Sequence, residues 1–216
     1  KNTVSFRILV LIMALFLTSF FLVPLSATNS FDSFFAREYS APLDKAGSYL
    51  MYATLLTPAL TALDSPSSNW LEDALVYAGT GVAAYGMRTG LKALVDRERP
   101  YVGSPLRPSD TSEDYESFPS GHTLMAFSGA AYTTALYALR YPDAPSRIPV
   151  TIATWTLATA TAAVRVGSGA HYMTGAAIGA AVGFGIPYLY KLLGGFASES
   201  VQVAASPAGF SVAFSF

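Results

Sequence analysis

The sequence contains no cysteine, which excludes disulfides, iron–sulfur clusters and thiolate zinc sites. It contains two histidines, His122 and His171, too few for a metal site built mainly on imidazole. Charge is scarce. Asp, Glu, Lys and Arg together make up 12% of the chain, about half the roughly 25% of a soluble domain. The charges nearly cancel to a net −1, so there is no electrostatic case for binding nucleic acid. Repeats and low-complexity tracts are lacking, and no alternating strand pattern occurs before residue 200.

What remains is apolar and helical. Hydrophobic residues make up 52% of the 216 residues, and the mean hydropathy is +0.39. The length suits one domain. Residues 8–25 carry no charge and follow Lys1 and Arg7. Eighteen apolar residues are close to the ~20 that span a bilayer as a helix, and they also fit a secretory signal ending near Ser26 and Ala27. Residues 28–45 mix charge, Ser and Pro and read as a surface connection. The pattern then predicts apolar helices over 46–63, interrupted near Pro58, over 70–99, stopped by Pro100, and over 121–140, 148–165 and 171–193. Residues 101–118 read as a polar, acid-rich loop. Small residues crowd the last helix, from Ala176 to Gly185, and let helices pack closely. The tail alternates at Phe210, Val212 and Phe214 after a turn at 206–209, as in a hairpin. The expected architecture is an all-α bundle of about six apolar helices embedded in a membrane, with a short hairpin-like tail. The expected divisions are 1–27, 28–195 and 196–216.

Between Ile148 and Tyr190, Arg165 is the only charged side chain. Burying a guanidinium without a partner costs several kcal/mol, so something anionic must meet it. That can be a carboxylate on another helix or a bound anion. Lys92 and Arg99 are seven residues apart, which on one continuous helix places them on a shared face. Taken alone they read as a solvated helix end, where Lys and Arg suit the helix dipole. Pro119-Ser120-Gly121-His122 directly precedes an apolar helix. A helix start offers free N–H groups to phosphate, Ser120 can cap it, and Gly121 lets the backbone approach. His122 then stands in the first turn, either as a reacting group or as an ordinary surface histidine. His171 lies six residues after Arg165, across a Gly-containing turn that brings it back near the arginine. Three cations and two imidazoles suit a phosphate site with an acid and a nucleophile or base.

These residues resemble the type 2 phosphatidic acid phosphatase and vanadium haloperoxidase superfamily, whose signature is K-x6-R-P, P-S-G-H and S-R-x5-H-x3-D. Lys92 to Arg99-Pro100 completes the first part. Pro119 to His122 completes the second. Arg165 and His171 match the core of the third. The resemblance covers about residues 45–193. It implies a metal- and cofactor-independent phosphatase acting on a phosphorylated lipid or another phosphate monoester. In that reading His171 attacks phosphorus to form a phosphohistidine and His122 protonates the leaving oxygen. Lys92, Arg99, Ser120, Gly121 and Arg165 hold the phosphate oxygens.

Two positions depart from the signature. Val164 replaces the Ser, and Gly175 replaces the Asp that would orient the nucleophile from one turn along the helix. A backbone carbonyl, Thr174 or a carboxylate from elsewhere could take over that task. If nothing does, the chain is a phosphate-binding pseudoenzyme. With residues 8–25 retained, the 100–120 and 166–170 segments share one membrane face, so an inner-membrane enzyme with an outward site is expected. With residues 1–27 removed, the alternative is a soluble periplasmic acid phosphatase. A haloperoxidase suits the short chain less well, and a plain scaffold leaves Arg165 and both histidines unexplained.

Overall fold

The computed structural model describes residues 29–64, 70–192, 201–206 and 209–214. The expected apolar segment at 8–25 lies outside them. Among the described residues six α-helices follow one another: α1 (Ser30–Phe35), α2 (Ala41–Leu56), α3 (Trp70–Leu94), α4 (Gly121–Arg140), α5 (Arg147–Gly167) and α6 (Met173–Leu192). Thr57–Leu63 continues α2 as a 3₁₀ helix, with the change of winding at Pro58. The only sheet among the described residues is an antiparallel pair, β1 (Val201–Ser206) and β2 (Gly209–Phe214), in register Ser206 to Gly209. The chain is thus a helical bundle with a terminal hairpin.

Helix α4 forms the centre and is buried along most of its length. Its closest neighbour is α6, and three glycines four residues apart explain why. A Cβ at Gly175 would stand 2.9 Å from the Ser117 carbonyl oxygen, and one at Gly179 would stand 2.6 Å from that of Ser120. At Gly183 it would collide with the backbone of Leu124. Side chains at these positions would push the two backbones apart, so the stripe sets how closely α6 lies against α4 and the segment leading into it. In the bundle's interior, Thr57 Oγ1 meets Thr133 Oγ1 at 2.9 Å and Thr154 Oγ1 at 2.8 Å, joining α2's extension to α4 and α5.

The two ends of the bundle differ. At one end Asp64 accepts from Ser146, and Arg140 pairs with Glu72 and Asp73 at 2.8 and 2.7 Å. The other end gathers the start of α2, the end of α3, the start of α4, the end of α5 and the start of α6. No described helix is long and apolar enough to cross a membrane. Large apolar side chains nonetheless face outward, among them Leu94 (81% exposed), Val82 (75%) and Ile148 (70%).

Three expectations are corrected. Residues 28–45 are not merely a surface connection. Asn29 caps α1 through a 2.8 Å bond to the Asp32 N–H, and α2 begins at Ala41 with Pro42 in its first turn. Helix α3 ends at Leu94, not at Arg99. Arg97 and Arg99 instead donate their N–H groups to Tyr115 O and Asp114 O at 3.1 and 2.7 Å, so the strip from 95 to 99 runs beside the acidic loop. Lys92 and Arg99 therefore do not share a helix face. His171 lies two residues before α6 rather than within it.

Candidate active site

Every residue singled out from the sequence lies at the end of the bundle where α2 to α6 meet. Arg99, Arg165 and Lys92 act electrostatically on both histidines. Each is buried.

His171 is 1% exposed. Its Nδ1 stands 2.8 Å from the Ser117 carbonyl oxygen. A carbonyl only accepts, so Nδ1 carries the proton and donates it. The lone pair is left on Nε2. Burial, reinforced by the Arg99 and Arg165 cations, holds the imidazole pKa well below its ordinary value, so the ring is neutral near pH 7. Ser117 thus supplies what Gly175 cannot. The same carbonyl lies 2.9 Å from where a Cβ at position 175 would be, so the acceptor and the Asp of the signature compete for one space. Gly169 makes the turn into this position with φ +70°, in the left-handed region that favours glycine.

Ser120 is the N-cap of α4, and its Oγ accepts from Thr123 Oγ1 at 2.9 Å. Its hydroxyl proton is left to donate elsewhere. Its N–H is already bonded to Gly175 O at 2.9 Å, so N–H groups for an anion must come from the first turn that follows. His122 stands in that turn, with Nε2 3.0 Å from Ser48 Oγ on α2. Helix α2 also shapes the Arg165 site. Asp44 accepts from Arg165 Nη1, and Gly47 leaves room for the arginine stem, whose Cδ would stand 2.8 Å from a Cβ there. Arg165 Nε is buried and makes no hydrogen bond among the described residues, which leaves that N–H for an incoming oxygen.

The other two cations also meet carboxylates. Lys92 Nζ lies 2.6 Å from Glu116 Oε2, and Arg99 Nη2 lies 2.6 Å from Glu113 Oε2. The bond from Lys92 holds the Glu116 carboxyl below the usual carboxylate range. Both glutamates are about half exposed, at 42% and 52% of their side chains. Carboxylate oxygens thus occupy the cations in the way that phosphate oxygens would.

Sequence reasoning did not find Asp44, Ser48, Glu113, Glu116, Ser117 or Arg88. The acid-rich loop was visible, but which acid meets which cation depends on the fold. Arg88, one turn before Lys92, lies across Gly121, its Cδ 2.8 Å from the position of a Cβ there. Its spacing of four from Lys92 was the available signal. Ser117 acts through its backbone, which no side-chain motif records.

A family model described as the PAP2 superfamily matches residues 73–196, more than half of the chain. Among solved structures, the chain is similar to a transmembrane PAP2-type phosphatidylglycerolphosphate phosphatase from Bacillus subtilis. The TM-score is 0.51 at 18% identity, over 90% of this chain and 96% of that one. A second similar structure is LpxE from Aquifex aeolicus, with a TM-score of 0.46 at 18% identity over 82% of this chain and 94% of that one. No curated protein matches.

Proposed function

Because this chain belongs to the PAP2 superfamily, we propose that it is a phosphatase that hydrolyses a phosphate monoester of a lipid through a phosphohistidine on His171. The observation that carries this reading is the bond from His171 Nδ1 to Ser117 O, which leaves an unprotonated Nε2 on a ring that Lys92, Arg99 and Arg165 all act on electrostatically.

The reaction has two steps. His171 Nε2 attacks phosphorus as the ester P–O bond breaks, and His122 passes to the leaving oxygen the proton that the phosphate monoanion brings into the site. His122 then takes a proton from water, the water oxygen attacks phosphorus, and the N–P bond breaks to release inorganic phosphate. Lys92, Arg99 and Arg165 stabilise charge on the three non-bridging oxygens, with the Ser120 hydroxyl and the first-turn N–H groups of α4 as further donors. Glu113 and Glu116 yield their cations to the incoming phosphate, as half-exposed side chains can.

The phosphatase domain in this reading is residues 28–195, since Asp44 and Ser48 enter the site from α2. The outward apolar side chains of α3 and α5 support a bilayer around the bundle. The site at one end then meets a lipid head group at the outer membrane face while the acyl chains stay in the bilayer.

The test is phosphate release from phosphatidic acid in mixed micelles and from a generic aryl phosphate. The wild-type protein should turn over both, with phosphatidic acid preferred in kcat/KM. His171→Ala should lose activity by at least about 10³-fold. Equal rates in the two proteins would remove His171 from the mechanism. No turnover by wild type on several lipid phosphates would favour a protein that binds phosphate without hydrolysing it.

A further inference from the structure

The carboxylate missing at position 175 has a counterpart elsewhere in the fold. Asp32 lies on the short helix α1, before the matched family region, and is fully buried. Its Oδ2 lies 2.7 Å from Arg97 Nη2, and Arg97 is itself 2% exposed. Oδ1 accepts the Thr174 N–H at 2.9 Å, and Oδ2 accepts the Thr174 hydroxyl at 2.6 Å. Arg97 Nη1 donates back to Thr174 Oγ1 at 2.8 Å, which closes a ring of three side chains. The Arg97 guanidinium also stacks on Tyr172, 4.4 Å from the ring centroid.

This ring reaches His171 along two routes. Tyr172 and Thr174 follow His171 in sequence, so the ring fixes the backbone that carries the imidazole. On the other side, Arg97 O accepts the Ser117 N–H at 3.0 Å, and Ser117 O accepts the His171 Nδ1 proton at 2.8 Å. One buried ion pair therefore sets both the backbone of the histidine and the acceptor for its ring. A buried ion pair is weak evidence for stability, because well-packed apolar side chains do as well. Its value here lies in fixing one geometry.

We propose that Asp32 and Arg97 are positioning residues for the His171 imidazole, with Thr174 as the link. They do from α1 and the 95–99 strip what an Asp at position 175 does within α6. Neither touches substrate. The proposal rests on the phosphohistidine reading for its effect on rate, but its structural content can be read without turnover.

The experiment uses the full chain in detergent micelles, labelled with ¹⁵N-histidine. With two histidines in the chain, His171→Ala assigns both sets of resonances. In the wild-type protein His171 should be Nδ1-protonated, with a proton protected from exchange. Asp32→Asn and Thr174→Val should give mixed tautomers and lose that protection, and Thr174→Ser should restore both. Where the protein turns over, the same two variants should lower kcat by about tenfold or more. KM and the affinity for orthovanadate, a probe of the phosphate site, should stay within about twofold. An unchanged tautomer in Asp32→Asn would overturn the proposal. So would a parallel loss of kcat, vanadate binding and thermal midpoint, which marks general damage. A wild-type protein without turnover whose tautomer still responds to Asp32 would sink the phosphatase reading and leave the positioning role standing.

Discussion

At the scale of single residues, the neutral state of His171 has a thermodynamic consequence. Its folded pKa lies below the ordinary imidazole value, because burial and the Arg99 and Arg165 cations disfavour the charged ring. The unfolded chain takes up this proton at about pH 6.5, and the folded chain does not until the pH is lower still. The unfolded state therefore binds more protons in that window, and stability must fall as pH drops below about 6.5. The slope from one such group is at most about 1.4 kcal/mol per pH unit. Thermal midpoints of wild type and His171→Asn between pH 7 and 5 check this. The wild type should lose stability more steeply on acidification, and parallel curves would contradict a neutral buried ring. His171 and its partners Lys92, Arg99 and Arg165 were legible in the sequence because side-chain motifs name them. Ser117 was not, because its contribution is a carbonyl that any residue possesses. Asp44, which meets Arg165, was legible only as a demand: a charge that isolated needs an anion, and the fold decides which one.

At the scale of elements, the packing of α6 on α4 is what brings His171 to Ser117. The apolar helices were legible from their runs of uncharged residues, and the run of small residues in α6 announced close packing. The end of α3 was not legible. Residues 97–99 are good helix formers, but the Arg97 and Arg99 N–H groups bond to the acidic loop and the Arg97 side chain is drawn to Asp32. The glycine stripe allows a graded test. Gly175→Ala should lower stability by about 1–3 kcal/mol, since the added methyl meets a backbone oxygen that cannot swing away. Gly183→Ala should cost at least as much, because it meets the Leu124 backbone more closely. Gly86→Ala in α3, where nothing lies within 4 Å, serves as the control and should be neutral or stabilising. Gly175→Asp should lower the rate even though it restores the signature, because the carboxylate stem displaces the carbonyl that already holds the ring. A rate increase in Gly175→Asp would show that Ser117 orients His171 poorly.

At the scale of the whole molecule, the proposed reactive end of the bundle and its outward apolar sides serve one task. The bundle architecture and the clustering of distant motifs at one end followed from helix count and loop order. The contribution of residues 29–48 did not, because Asp32 and Asp44 sit in a stretch whose mixed composition resembles any connection, and Ser48 is one small polar residue in an apolar helix. The outward apolar side chains of α3 and α5 predict that the protein stays with the membrane fraction after a detergent-free alkaline wash. Release into the wash would favour the periplasmic soluble enzyme. The central claim is that His171 itself carries the phosphoryl group, and trapping that group tests it most directly. Wild-type protein mixed with ³²P-labelled phosphatidic acid, quenched in alkali and digested, should yield one labelled peptide containing His171. The label should be absent from His171→Ala and should accumulate in His122→Ala when an activated aryl phosphate replaces the lipid. Turnover without a labelled His171 peptide, or label on any other residue, would contradict the account.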